Sequence, residues 1–297
     1  MPHVLPIIAV IELTFQPVAT VAGIEIRLET VALAAVALVA LLLAARIARL
    51  TPGPDTGQPD TDAGAPDAEP GGPGRLRLDD LLILVAVAVP AALIGGRAGY
   101  GLVHLDVFGP DPGALLDPAR GGLELPLGVR GGAIGASIGA VILDAPIRRW
   151  LHAATLPLLL AIAGGKLALA LGGVGQGAPF DGAWATAYLG PGPWGSIAPA
   201  VPAHPAQLYE AIVACIAIVV VGGALAAGAF RSRSGGVFAL AVALWLIGRS
   251  LVAATWRDPV VLGPLRADQA ISLGLAILAV VVAAADGLLR RRRAGAT

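Results

Sequence analysis

Charge is scarce in this chain. Asp, Glu, Lys and Arg make up 13% of its 297 residues, where a soluble globular domain carries about a quarter. The charge present cancels, with 20 basic residues against 20 acidic ones, so net charge points to no class of partner. Lysine is nearly absent: Lys166 is the single one, and arginine does the rest. Cysteine is down to Cys215, inside an apolar run. That excludes an internal disulfide and a cysteine-based metal cluster, and leaves Cys215 as a small apolar residue. The histidines outside the central motif (His3, His104 and His152) have no metal-ligand spacing. No metal, cofactor or nucleic-acid partner is expected. The opening "MPHVLPIIAVIEL" lacks a basic n-region and a small-residue cleavage site, so no secretory signal is expected.

Apolar sequence is what fills the chain. Hydrophobic residues reach 57% and the mean hydropathy is +0.81. A membrane-crossing helix needs about 20 mainly apolar residues. Seven stretches qualify, at 29–47, 80–104, 129–147, 153–173, 207–229, 236–255 and 268–289. The expected fold is an all-α integral membrane protein, with seven transmembrane helices around a polar, cationic cavity. Residues 1–28 read as an N-terminal external, interfacial segment, 29–289 as the seven-span domain, and 290–297 as a basic cytoplasmic tail. The segment 51–78 is rich in Pro, Gly and Asp with little to bury, and reads as a disordered cytoplasmic loop. The segment 174–206 is rich in Gly, Pro and Trp, has no Lys or Arg, and reads as an external loop. No internal repeat is visible, which argues against a transporter built from inverted repeats.

Arginine sets the orientation. With the N-terminus outside, the cytoplasmic side holds Arg46, Arg49, Arg75, Arg77, Arg148, Arg149, Arg231, Arg233 and Arg290 to Arg293. The external side holds only Arg27, Arg120, Arg257 and Arg266. The positive-inside rule then places the C-terminus in the cytoplasm and the 174–206 loop outside.

Four basic residues remain: Arg97, Arg130, Lys166 and Arg249, in or at the ends of spans two, three, four and six. A central Arg or Lys in a spanning helix costs about 2.5–3.5 kcal/mol, less near a helix end where the side chain snorkels. Four such residues on separate helices point to a shared polar cavity that takes an anion, and a phospholipid head group is the anion at hand. Small residues at four-residue spacing let helices approach closely; Gly131, Gly135 and Gly139 form one such series, Gly95 and Gly99 another, Gly164, Ala168 and Gly172 a third. The stretch "VPAHPAQLYEAI" at 201–212 brings His204, Gln207, Tyr209 and Glu210 to the start of span five. Gln207 and Glu210 share a helix face, and Glu210 is the clearest acidic counterpart for the cations.

In order along the chain, "GGRAGYGL", "LGVRGGAIGASIGAVI", "GGKLALALGGVGQG", "HPAQLYE", "GRSLVAATWRDP" and "ADQAIS" resemble motifs of the bacterial prolipoprotein diacylglyceryl transferase family. "HPAQLYE" differs from that family's H-P-S-Q-L-Y-E at one position, and the resemblance runs from about residue 20 to 289. It implies transfer of a diacylglyceryl group from phosphatidylglycerol to the lipobox cysteine thiol of a preprotein, in the bacterial cytoplasmic membrane. It implies catalytic roles for Arg249, Lys166 and His204, and substrate binding by Arg97, Arg130, Gln207, Tyr209 and Glu210. Arg249, Lys166 and Arg130 would hold the phosphate. His204 is either the thiol's proton acceptor or a loop hydrogen-bonding residue. Glu210 is a neutraliser of cations before it is an acid or base, and Tyr209 is either an interfacial anchor or a ligand.

The chain also departs from the family pattern. Lys166 stands for the signature arginine and loses its bidentate fork. Arg130 stands for a histidine, Leu169 and Gly172 for asparagines, and Val174 and Ala253 for glutamates. Glu29 and Thr30 stand for a Tyr-Gly pair, and Trp245 for a tyrosine. These departures raise an alternative: a catalytically impaired paralogue that binds anionic phospholipid.

Overall fold

The computed structural model describes residues 10–51, 76–117, 120–230 and 235–294, with side chains described to residue 285. The loop expected to be disordered, apart from its ends, and the side chains of the basic tail lie outside the described residues, as do residues 1–9. Seven helices among the described residues are long and apolar enough to cross a membrane, as the sequence leads one to expect. They are α1 (Leu28–Leu50), α2 (Leu78–Val103), α4 (Leu125–Ile142), α5 (Ile147–Gly172), α6 (Ala206–Ala226), α7 (Gly236–Ala253) and α8 (Ala267–Ala294). A short α3 (Leu105–Phe108) and a 3-10 turn (Pro112–Leu116) follow α2.

The helices are apolar outside and small or polar inside. On α6, Gln207, Glu210, Ala211, Ala214, Ala217 and Val221 recur at helical spacing and are buried. Ile212, Ile216, Val219 and Val220 point outward and are exposed. A water-soluble helix would show the reverse.

The chain divides into two compact units. One takes in residues 1–41, 156–227 and 240–281; the other takes in 42–155, 228–239 and 282–297. In the second unit α2 packs along α4 through glycine. A side chain at Gly131 would collide with the carbonyl of Ala91, and one at Gly95 would lie 2.6 Å from the carbonyl oxygen of Leu127. The two backbones are therefore in contact, and Cα–H to carbonyl contacts become available. Trp150, Leu84, Ala48, Ala140 and Ala153 form a buried cluster in the same unit.

Among the described residues, the first unit carries six short strands. β1 (Ile11–Leu13) runs parallel to β4 (Thr186–Tyr188), pairing Ile11 with Thr186 and Leu13 with Tyr188. β2 (Val18–Val21) and β3 (Ile24–Arg27) form a hairpin that leads straight into α1. β5 (Val260–Leu262) and β6 (Leu265–Arg266) form another between α7 and α8. The 174–206 segment is thus a folded cap held to the N-terminal strand. Gln176 reinforces it: its amide donates to the Thr186 carbonyl at 2.7 Å, and its oxygen accepts from Ser196.

Candidate active site

Four charges meet inside the first unit. Glu210, one turn into α6, is completely buried. One of its carboxylate oxygens accepts from Nη1 of Arg249 on α7. The other lies 2.8 Å from Nζ of Lys166 on α5. Nη2 of Arg249 sits 3.1 Å from both oxygens of Asp268, in the first turn of α8. Two cations and two carboxylates therefore balance. Buried charges persist only when paired in this way, because desolvation otherwise outweighs their attraction. The Trp256 ring lies under both cations, with its centroid 4.3 Å from the Arg249 guanidinium carbon and 5.6 Å from Lys166 Nζ. Trp245, one turn before Arg249, is fully buried and 5.9 Å from the same carbon.

Gly248 explains how Arg249 comes to face Glu210. A side chain there would collide with Val213 of α6, and valine's branched side chain yields little. The glycine lets α7 close on α6, and the next residue delivers its guanidinium to the carboxylate.

The "HPAQLYE" stretch divides between two tasks. Gln207 is buried and donates to the Tyr188 hydroxyl at 2.8 Å, which itself donates to the Ala170 carbonyl at 3.0 Å. This chain ties α6 to β4 and to the end of α5. Burial pushes the Tyr188 phenol up to about 12, and the Gln207 contact only partly offsets it. Tyr209 and His204 lie in an aromatic group of the cap. The His204 ring stacks on Phe180 with centroids 4.0 Å apart. Trp184 donates its indole N–H to the Tyr209 hydroxyl at 2.6 Å, and that hydroxyl lies 3.3 Å from His204 Nδ1. An indole nitrogen can only donate. The phenol oxygen therefore accepts from Trp184, while the direction of its contact with Nδ1 is set by the imidazole tautomer. Burial also holds His204 below its ordinary value of 6.5, so it is neutral at physiological pH.

Gly177 pins this cap to the helices. Its N–H donates to the His204 carbonyl and its carbonyl accepts from Arg257, both at 2.8 Å. The neighbouring Ala178 N–H donates to Thr255. A side chain at 177 would lie 2.6 Å from the Thr255 carbonyl oxygen.

Arg97 and Arg130 belong to the second unit. Arg97 spends its guanidinium on backbone: Nε donates to Leu115 at 2.6 Å, Nη1 to Gly122, and Nη2 to Ala114, Asp117 and Arg120. It organises the 114–122 turn. Arg130 is exposed on α4. Lys166, Arg249, Glu210, Gln207, Tyr209 and His204 lie together in the first unit. The sequence reading missed Asp268, Trp256 and Tyr188. Asp268 left a faint signal, as an acid at the mouth of the last apolar run.

A sequence model of the family described as prolipoprotein diacylglyceryl transferase matches residues 17–285. The chain belongs to the prolipoprotein diacylglyceryl transferase family. Among its relatives is the phosphatidylglycerol–prolipoprotein diacylglyceryl transferase of Clostridioides difficile, 27% identical over 198 residues, or 67% of this chain and 75% of the relative. The namesake from Nitrobacter hamburgensis is 29% identical over 230 residues, covering 69% and 71%. That from Symbiobacterium thermophilum is 30% identical over 204 residues, covering 67% and 74%. The family match spans both units and every residue of the buried charge cluster.

Proposed function

We propose that this chain moves the diacylglyceryl group of phosphatidylglycerol onto the lipobox cysteine thiol of a prolipoprotein. The observation that carries the assignment is the pairing of Arg249 and Lys166 around Glu210, within a chain of this family. The reaction breaks the bond between the glycerol carbon and the phosphate oxygen and forms a thioether to sulfur. Glycerol phosphate leaves with the electron pair. Cations held against that oxygen stabilise the charge it gains. Arg249 and Lys166 are the residues we assign to it, with Glu210 fixing their places. Trp256 keeps the face of both cations away from water.

The thiol must lose its proton for sulfur to attack. We assign that proton to the His204–Tyr209 pair: it arrives at the phenol oxygen as the phenol's own proton passes to Nδ1. Neutral His204 is the form this needs. Arg97 holds the 114–122 turn of the second unit, and Arg130, exposed on α4 of that unit, is assigned to a lipid head group. The arginine distribution supports an external N-terminus and a cytoplasmic C-terminus, which puts the His204 cap on the side where preproteins emerge.

The replacements at Arg130, Leu169, Val174 and Ala253 favour a second reading, an anionic-phospholipid-binding protein without transfer. One assay separates the two. Purified protein is given phosphatidylglycerol vesicles and a lipobox peptide, and diacylglyceryl-peptide is followed by mass spectrometry. Product is expected, and Arg249→Ala is expected to lower its rate at least tenfold, since a charge-assisted hydrogen bond contributes about 1.5–3 kcal/mol. No product, where the Clostridioides difficile relative makes it, overturns the transferase reading.

A further inference from the structure

Asp268 is held in place from two directions. It opens α8, where an acid favours the positive end of the helix dipole. Its neighbour Gln269 accepts from the Arg266 N–H at 2.9 Å and donates to the Ser250 carbonyl at 3.2 Å. Ser250 is the residue after Arg249. The first turn of α8 is therefore clamped to α7 at the very point where the carboxylate meets the guanidinium. Asp268 itself is buried, with both oxygens on Nη2.

Glu210 holds the other end of the same guanidinium, at Nη1. Two carboxylates on two helices thus grip the two terminal nitrogens, and Trp256 covers a face. Glu210 is shared with Lys166. Asp268 has Arg249 as its ion-pair partner. On α7 itself, position 253 lies one turn beyond Arg249 and shares its face, but it is a fully buried alanine. The second carboxylate comes from α8.

We propose that Asp268 is a positioning residue for the transfer reaction: it fixes Nη2 so that Arg249 presents one orientation to the lipid phosphate. This rests on the reading that Arg249 contacts that phosphate. A guanidinium gripped at both ends needs no reorganisation when charge grows on the leaving oxygen, and such preorganisation acts on the transition state more than on binding. Without Asp268, Nη2 loses both of its carboxylate contacts, and the carboxylate at Nη1 is one that Lys166 also draws on.

The test uses the full chain in phosphatidylglycerol vesicles with a lipobox peptide. Asp268→Asn is expected to lower kcat at least tenfold and to change KM for the lipid by less than threefold. Returning a carboxylate to α7, as Ala253→Glu with Asp268→Gly, is expected to raise kcat at least fivefold over Asp268→Gly alone. Asp268→Glu keeps the charge balance and carries the test if Asp268→Asn does not fold; its longer arm is expected to lower kcat at least threefold. Parental kcat in Asp268→Asn or Asp268→Glu overturns the proposal. So does a lower KM at unchanged kcat, which would make Asp268 a mere competitor of the phosphate. Arg249→Ala separates the two failures. If it is inactive while Asp268→Asn is normal, only the positioning role falls. If it is fully active, the phosphate reading falls and this proposal with it.

Discussion

Glu210→Gln is the most informative single change in this protein, because it alters charge without altering shape. The carboxylate touches Lys166 at 2.8 Å and Arg249 on its other oxygen, with no exposure to solvent. At 2.8 Å and an effective dielectric of 20, one such pair is worth about 6 kcal/mol before desolvation is subtracted. Removing one partner of a buried pair costs about 3–5 kcal/mol net. The amide makes matters worse locally. Its oxygen can accept from one cation, and its NH2 then faces the other, donor against donor. The cluster passes from balance to a net charge of +1 with Asp268 as its remaining carboxylate. Glu210→Gln should therefore lose about 3–5 kcal/mol of stability in detergent unfolding. It should also lose about 100-fold in transfer, the usual penalty for displacing a catalytic group by an ångström. The double variant Lys166→Met, Glu210→Gln restores balance, leaving Arg249 with Asp268. It should recover most of the stability and none of the transfer, since replacing a whole buried pair is often nearly neutral. A Glu210→Gln protein as stable as its parent would refute the ion pairing. A double variant no more stable than the single one would refute the charge-balance argument.

Further outcomes follow from the cap. Gly177→Ala should nearly abolish transfer and lower expression, because its methyl group meets the Thr255 carbonyl oxygen at 2.6 Å; a fully active variant would show that the cap is not pinned there. The rate should fall with acid only below pH 6.5, since burial holds the folded chain's His204 below its ordinary value, and so below that of the unfolded chain. For the same reason His204 contributes stability above pH 6.5 that is lost as pH falls further, and His204→Gln should remove the acidic limb. Tyr188→Phe leaves the Gln207 amide and the Ala170 carbonyl without their shared hydroxyl, a loss of about 1–3 kcal/mol in unfolding. In the parent, stability should decline as pH climbs from 10 towards 12, where the unfolded chain gives up a phenol proton that the folded one keeps; Tyr188→Phe should flatten that decline.

The helices were legible because lipid imposes length and apolarity, and both are written in composition. Their ends were less so. The third span was expected at 129–147, whereas α4 runs Leu125–Ile142. Glu124 caps it, accepting from the Leu127 N–H at 2.7 Å, and Pro126 fits the first turn. A leucine-rich sequence before the glycines masked that start. At the other end Asp144 turns to a positive φ and Pro146 follows. Lys166, Glu210 and Arg249 were legible as charges in apolar surroundings. Asp268 was not, because an acid at a helix start has an ordinary explanation in the dipole. Arg97 had the same signal as Arg249, and only the structure separates them. One meets carboxylates and the other meets five backbone carbonyls of a turn, and no spacing rule in the chain distinguishes those partners.

The departures from the family pattern gain a different meaning when placed in space. Read along the chain, Gly172 is a lost asparagine, Ala253 a lost glutamate and Glu29 an unrelated change. In the structure, the space a side chain at Gly172 would need is filled by the Glu29 carboxylate, which pairs with Arg27 at 2.8 Å. A carboxylate from the start of α1 thus occupies the space beside the end of α5. Likewise Ala253 offers Arg249 no carboxylate, and Asp268 of α8 supplies one. Arg249 thus meets a carboxylate at each terminal nitrogen, in surroundings where an unpaired charge costs several kcal/mol. Asp268 keeps the cluster neutral and its arginine gripped at both ends, as the proposed role of Arg249 requires, whereas Glu29 lies apart from it on Arg27.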